Sequence, residues 1–138
     1  MSDAAFNAAV RTVLAHEGDL QVRFRAQCPT SEEAVELSER MADQAAELLG
    51  ANVYSRDGKA LEIVAGGRLA AAGATLTVAE SATGGGLAQR ITSVPGSSAY
   101  FAGGYVTYSR RMKTELLGVP AELLAQHGAV SKETAAAM

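Results

Sequence analysis

Cysteine and histidine are scarce in this sequence, which argues against disulfide bonds and against metal sites built from these residues. Cys28 is the single cysteine among 138 residues, so no disulfide forms within the chain, and a lone thiol is typical of a reducing cytoplasm. The two histidines, His16 and His127, lie far apart. This composition argues against a Cys/His metal cluster, so we predict a cytoplasmic protein without a bound metal.

The sequence also lacks an excess of basic residues and long apolar runs. The formal net charge is −3 at pH 7, whereas proteins that hold nucleic acid through its phosphates usually carry excess positive charge. No apolar run is long enough to cross a membrane, and Met1 leads into the polar segment "SDAAFNAAV", which is unlike a signal peptide. We therefore expect no nucleic-acid partner and no membrane association.

Glycine is distributed unevenly and indicates a boundary between two modules. Only three of the fourteen glycines lie at or before Gly58, and eleven follow it. About half of the residues are hydrophobic, at 48%, and 20% are charged, which is typical of a folded globular protein. We predict a small charged module over residues 1–57 and a glycine-rich module over residues 58–138.

The first module has the pattern of a small α/β unit. Apolar residues at helical spacing predict a helix over residues 3–16, and the alternation in "LQVRFRAQ" predicts a strand over residues 20–27. Thr30 and Glu33 have the spacing of a capping box, before a helix that ends at Gly50. "ANVYS" predicts a second short strand over residues 51–55.

The second module alternates predicted helices and strands. A helix over residues 60–72 precedes "TLTVA", a buried strand apolar on both faces, and the glycines then lead into the helix "GLAQRITSV". "GGYVTYS" predicts a second strand, and "RRMKTELLG", "PAELLAQHG" and a segment capped by Ser131 predict three further helices. The sequence predicts an α/β fold whose helices cover the sheet.

The segment "TVAESATGGGLAQR", residues 77–90, places an acid, two hydroxyls and three glycines where a strand gives way to a helix. Free N–H groups and the helix dipole at such a junction favour an anion, such as a phosphate or a developing oxyanion. The segment lacks Gly-Lys-Ser/Thr, and Gln89 stands where a GxGxxG motif counted from Gly84 needs its last glycine. Two interpretations of this segment therefore remain open: a tight turn that needs small residues, and a loop whose backbone binds a ligand.

Ser81 lies at the carboxyl end of a predicted strand, where open α/β sheets bind ligands. A nucleophilic serine needs a base, and neither histidine is an obvious partner. Lys113 follows the second strand of the same module, but as a base it has to be buried and uncharged. A solvent-exposed helix lysine is the competing interpretation.

Several motifs in one order resemble the carboxy-terminal domain of the CinA family of competence/damage-inducible proteins. They are "ESATGG", "VPGSSAYFAGGYVTYS", the lysine at position 113, "LLGVP" and "QHGAVS", and they cover residues 76–131. The preceding "VRFRAQCPTSEEAVELSERMADQAAELLGANVYSRDG" resembles the family's small α/β domain with a KH-like topology. The resemblance extends over residues 20–138 and implies that the chain contains the amino-terminal half of the amidase domain.

The resemblance implies a nicotinamide-nucleotide amidohydrolase, which converts nicotinamide mononucleotide to nicotinate mononucleotide and ammonia in pyridine-nucleotide salvage. On the matching positions Ser81 is the nucleophile, Lys113 its general base, and Tyr108 a hydroxyl that helps proton transfer or orientation. Such an enzyme needs no cofactor. The expected partners are the small nucleotide substrate and further copies of the chain in a homo-oligomer.

Four further residues are implied to line the substrate site. The N–H groups of Thr83, Gly84 and Gly85 are candidate oxyanion donors, and Glu80 orients Lys113 or a backbone amide, or makes only a structural hydrogen bond. Ala82 departs from the family, which commonly has cysteine at this position. The family's second glycine-rich stretch is also missing, so a non-catalytic oligomerisation or interaction fragment and a nucleotide-binding module without hydrolysis remain alternatives.

Overall fold

A computed structural model describes residues 8–16 and 18–138 of the chain. The chain divides into two compact units, Met1–Leu61 and Glu62–Met138. Both units combine helices with a two-stranded sheet, which confirms the predicted α/β class. No helix in the described ranges has both the length and the apolar character needed to cross a membrane.

The first unit begins with a β-hairpin. Strand β1, Ala8–His16, pairs antiparallel with strand β2, Asp19–Gln27, and the register places His16 opposite Asp19. In β2 the more exposed and less exposed residues alternate along most of the strand, as the predicted period of two requires. The prediction of a strand at residues 20–27 is therefore confirmed.

The predicted helix over residues 3–16 is wrong where the structure describes it, because residues 8–16 form β1. Residues 3–7 of that prediction lie outside the described residues. Val10, Thr12 and Val13 are β-branched and favour extended backbone over helix. Pairing with β2 then satisfies the backbone N–H and C=O groups that face the partner strand, an advantage that helical spacing within one segment does not reveal.

Helix α1, Ser31–Leu49, follows the hairpin and contacts β2. The predicted capping box is present, since Glu33 N–H donates to Thr30 Oγ1 at 3.2 Å and Thr30 N–H donates to Glu33 Oε2 at 3.3 Å. These two bonds satisfy backbone donors at the start of the helix, so the helix begins where the sequence pattern places it.

The predicted strand over residues 51–55 is also wrong. The chain forms a single 3₁₀ turn at Gly50–Asn52, where Val53 N–H donates to Gly50 O at 3.1 Å. The Asn52 side chain donates to Leu49 O at 3.0 Å. These local bonds tie the segment to the end of α1, where a strand would need a pairing partner. The first unit is therefore a hairpin followed by a helix, and the predicted strand–helix–strand order does not hold.

The second unit follows the predicted order of elements. Helix α2, Leu61–Ala71, begins at the boundary between the units. It is followed by β3 Leu76–Glu80, α3 Gly86–Thr92, β4 Phe101–Val106, α4 Arg110–Leu117, α5 Ala121–His127 and α6 Lys132–Ala137. Ser131 caps α6 by accepting from Thr134 N–H at 3.1 Å, as predicted. Side-chain caps thus fix the starts of α4 and α6, and Gly118 and Gly128 end α4 and α5.

Strands β3 and β4 form a parallel pair, so their carboxyl ends lie at one edge of the sheet. Helix α3 contacts both strands. The prediction that β3 is buried on both faces is wrong, because Thr77 and Ala79 are exposed while Glu80 at the end of the strand is buried. Threonine and alanine are tolerated on either face of a sheet, so the composition of "TLTVA" did not distinguish the two cases.

Candidate active site

Buried polar residues are unusually prominent in the second unit. The buried apolar side chains among the described residues are Tyr100, Val119 and Leu124, whereas five buried residues are polar or charged: Glu80, Ser97, Thr107, Lys113 and Thr134. Buried polar groups are costly unless they are hydrogen-bonded, and they often mark functional sites. Three of these five lie at or just beyond the carboxyl edge of the sheet, which is where the candidate site is found.

The carboxyl ends of the two strands are joined through Thr107. β3 ends at Glu80 and β4 ends one residue before Thr107, whose N–H donates to Glu80 O at 2.8 Å. The Thr107 hydroxyl donates to the same carbonyl oxygen at 3.3 Å. Thr107 is fully buried, and sequence reasoning missed it. Its position directly after the second parallel strand was the available signal.

Ser81 and Lys113 are brought together at this edge. Lys113 Nζ donates to Ser81 Oγ at 2.7 Å and also donates to the Thr107 carbonyl. Lys113 lies in α4, whose start is fixed by Ser109, the side chain of which accepts from Met112 N–H at 3.2 Å. With a relative exposure of 0%, Lys113 is not the solvent-exposed helix lysine of the competing interpretation.

Lys113 has no carboxylate partner within residues 8–16 and 18–138. Its hydrogen bonds are to a hydroxyl and a backbone carbonyl, both uncharged. Glu80, which the sequence analysis named as a possible orienting residue for Lys113, directs its carboxylate to the start of α3. A buried lysine beside a hydroxyl and without a counter-ion is the arrangement in which lysine serves as a general base.

The Glu80 carboxylate occupies the anion-binding position that the glycine segment creates. It accepts from the Thr83 hydroxyl at 2.6 Å, from Leu87 N–H at 2.9 Å and from Ala88 N–H at 2.8 Å. The Thr83 hydrogen bond, followed by those from the backbone at Ala88, Leu87 and Gly85, holds the pKa of Glu80 below its ordinary value. The anion at this strand–helix junction is therefore a side chain of the protein itself.

The glycines make a tight turn around this carboxylate. Gly84 and Gly85 have φ of 60° and 103°, a left-handed region in which residues with a Cβ are strained. Gly84 N–H donates to Ser81 O at 3.0 Å, and Gly85 N–H is directed to the Glu80 carboxylate. Of the three predicted oxyanion donors, Gly84 N–H is therefore hydrogen-bonded within the turn and Gly85 N–H faces a carboxylate. Thr83 N–H is the member of the predicted set for which the described residues supply no acceptor.

The predicted third catalytic residue, Tyr108, is placed differently from the Ser81–Lys113 pair. It follows Thr107 directly, yet its side chain is 73% exposed. Within the described residues its hydroxyl makes no hydrogen bond to Ser81 or Lys113. The structure therefore brings two of the three predicted catalytic residues into contact.

A shallow cavity of about 310 Å³ opens beside Ser81. Its walls include apolar residues from three parts of the second unit: Ala79, Ala82, Leu87, Ala135 and Met138. The contribution of α6 was not predicted, because nothing in the sequence of an alanine-rich helix indicates which neighbour it covers. Ser81 is therefore part of the wall of an open cavity that is lined mainly by apolar residues.

Comparison with known proteins assigns the chain. The model of the CinA C-terminal domain matches residues 58–138. The chain belongs to the CinA family. A CinA-like protein of Solibacter usitatus is 55% identical over 127 residues, which cover 92% of this chain and 30% of that protein. A putative competence-damage inducible protein of Moorella thermoacetica is 48% identical over 125 residues, covering 91% of this chain and 30% of that protein.

Solved structures of the same family share the fold. The competence/damage inducible protein CihA of Agrobacterium tumefaciens is 40% identical, with a TM-score of 0.56 over 56% of this chain and 47% of that chain. A CinA superfamily protein of Escherichia coli is 29% identical, with a TM-score of 0.55 over 64% of this chain and 55% of that chain. This CinA-family chain spans about 30% of the length of its curated relatives.

The lowered pKa of Glu80 predicts how the stability of the protein depends on pH. A carboxyl whose folded pKa lies below its ordinary 4.5 stabilises the fold above pH 4.5, and this contribution is lost as the pH falls through the folded value. Urea unfolding of the wild type and Glu80→Gln should therefore differ most near neutral pH and converge in acid. A difference that stays constant across the whole pH range would contradict this assignment.

Proposed function

We propose that this CinA-family chain carries the serine–lysine site of a nicotinamide-nucleotide amidohydrolase. The observation that supports the proposal most directly is the 2.7 Å contact between Ser81 Oγ and the fully buried Lys113 Nζ. An amide is a poor electrophile, so a hydroxyl activated by an adjacent base is the component that such a reaction needs first. The carboxamide of nicotinamide mononucleotide is the substrate implied by the family motifs.

In the proposed reaction Lys113 takes the proton of Ser81 as Oγ attacks the carboxamide carbon. In the uncharged form that this step requires, the amine has two N–H groups and one lone pair. One N–H donates to the Thr107 carbonyl, and the lone pair accepts the proton of Ser81 Oγ, which reverses the Nζ-to-Oγ donation present in the structure. Thr83 N–H is the predicted donor that remains to stabilise the oxyanion. Lys113 then gives the proton to the departing ammonia, and the C–N bond breaks to leave an ester on Ser81.

Water completes the proposed cycle by hydrolysing this ester. Lys113 removes a proton from the water, the hydroxide attacks the ester carbon, and the proton returns to Ser81 Oγ as the nicotinate nucleotide leaves. The net reaction consumes one water and releases one ammonia for each carboxamide. No redox step occurs in this cycle. Lys113 takes and returns the proton in both half-reactions and so meets the acid–base requirement of the reaction.

The test is identification of both products. The full chain is incubated with nicotinamide mononucleotide, ammonia is measured by a coupled assay, and the nucleotide is analysed by chromatography. Equal amounts of ammonia and nicotinate mononucleotide are expected. Nucleotide binding measured by calorimetry without turnover would favour the nucleotide-binding module instead. If the folded chain shows neither nucleotide binding nor turnover, the interaction fragment is favoured.

A further inference from the structure

The strongest unassigned feature is the buried carboxylate adjacent to the nucleophile. The Glu80 side chain is 3% exposed, and its two oxygens receive the Thr83 hydroxyl and the N–H groups of Leu87 and Ala88. These donors occupy the carboxylate, so it is not free to bind the substrate. The sequence left substrate binding, orientation of Lys113, orientation of a backbone amide and a structural hydrogen bond open for Glu80, and its carboxylate contacts backbone N–H groups.

Glu80 participates in two sets of contacts that meet at Ser81. Its carboxylate holds the turn that carries Ser81 into α3, while its carbonyl oxygen accepts both the N–H and the hydroxyl of Thr107. The Thr107 carbonyl in turn accepts from Lys113, whose amine contacts Ser81 Oγ. With the peptide bond between Glu80 and Ser81, these contacts form a closed ring of four residues. The position of Ser81 relative to its base therefore depends on how Glu80 is held.

We infer that Glu80 is a positioning residue for the Ser81 nucleophile: its carboxylate acts as an internal anion that locks the glycine turn and so keeps Ser81 Oγ within reach of Lys113 Nζ. This inference rests on the proposed function, in which Ser81 attacks the carboxamide. Reacting groups must be held within a fraction of an ångström, and small misplacements lower rates strongly. The role requires a full carboxylate, because glutamine replaces one acceptor oxygen with an NH₂ donor directed at backbone N–H groups.

The first readout is the reactivity of Ser81 toward a fluorophosphonate, which does not require the nucleotide. In that reaction Ser81 Oγ forms a bond to phosphorus, fluoride leaves, and Lys113 takes the hydroxyl proton. Glu80→Gln should lower the second-order labelling rate by about tenfold or more. The matched control is Glu62→Gln, which removes a carboxylate that pairs with Arg90 at 2.9 Å and does not line the cavity beside Ser81. It should label within about twofold of the wild type.

The second readout separates positioning from substrate binding. If Glu80 positions the nucleophile, Glu80→Gln lowers kcat for ammonia release and leaves KM near the wild-type value; a substrate ligand would instead raise KM. If Glu80→Gln does not fold by circular dichroism, the Thr83 hydroxyl supplies the test. Thr83→Val should lower labelling, and Thr83→Ser should restore it, because serine retains the hydroxyl donor to Glu80.

The outcomes distinguish the inference from the proposed function. The positioning role is overturned if folded Glu80→Gln is labelled at the wild-type rate. If Glu80→Gln is unfolded, labelling of Thr83→Val at the wild-type rate overturns it instead. Wild-type labelling that depends on Glu80 without any ammonia release overturns the amidohydrolase and leaves the positioning role intact. A folded wild-type chain that the fluorophosphonate does not label overturns both.

Discussion

Lys113→Ala is expected to lower kcat for ammonia release by about 10²- to 10⁴-fold, the usual contribution of a general base. The loss follows from the geometry, since Lys113 Nζ is the basic group within hydrogen-bond distance of Ser81 Oγ at 2.7 Å. KM should change little, because the amine contacts the nucleophile. The measurement is steady-state ammonia release, with circular dichroism to establish that the variant is folded.

The control for this prediction is Lys59→Ala, which removes an exposed lysine paired with Asp57 at 2.6 Å in the first unit. It should retain wild-type turnover. Ser81→Ala combined with Lys113→Ala should be no worse than Ser81→Ala alone, because a base without its nucleophile has nothing to activate. Independent, multiplying losses would show that the two residues do not act as one unit.

Gly104→Ala is expected to destabilise the second unit by about 3 kcal/mol or more. Gly104 lies opposite Val78 in the β3–β4 register, and a Cβ at this position would lie 2.4 Å from the Val78 carbonyl oxygen and 2.5 Å from Val78 Cγ2. Backbone cannot yield as a flexible side chain does, so the two strands must separate. Because β4 leads to Thr107 and β3 to Ser81, ammonia release should fall as well.

Urea unfolding followed by circular dichroism measures this effect, and Gly67→Ala provides the matched control. Gly67 lies within α2, and apart from its chain neighbours and the backbone of the helix itself no atom lies within 4 Å of a Cβ built there. The same chemical change should therefore stabilise the protein by about 0.5–1 kcal/mol, because alanine favours a helix interior. Equal stabilities for Gly104→Ala and the wild type would contradict the close approach of the strands.

The sequence predicted the second unit well because its signals are local. Caps such as Ser131 and the strand-forming run before Glu80 determine where elements begin and end without reference to distant residues. The double glycine in β4 is a weak strand signal by composition. For Gly104 the physical reason, the space taken by Val78, became visible only once the register was known.

The first unit shows why such local signals are sometimes insufficient. Residues 8–16 have apolar positions compatible with a helix, yet β2 offers a pairing partner that the segment alone does not reveal. Residues 51–55 have strand-forming composition, but the Asn52 side chain bonds back to the end of α1. In both places the outcome depends on hydrogen bonds to neighbouring segments.

The site was predictable in part. Ser81 and Lys113 carried family motifs, and the structure places them in contact. The role of Glu80 depends on a turn that folds back over three glycines, so its donors at Leu87 and Ala88 are seven and eight residues away. Thr107 contacts Lys113 through its backbone carbonyl, a group that every residue type carries, so this contact leaves no trace in the sequence.

The measurement that tests the central claim most directly is ammonia release from nicotinamide mononucleotide by the wild-type chain beside Ser81→Ala. Ser93→Ala is the matched control, since it removes a hydroxyl that donates to Arg90 O at 2.7 Å, outside the cavity. The account predicts release by the wild type and Ser93→Ala and a loss of about 10⁴-fold or more in Ser81→Ala. Equal release by all three folded proteins, or none by the folded wild type, would contradict it.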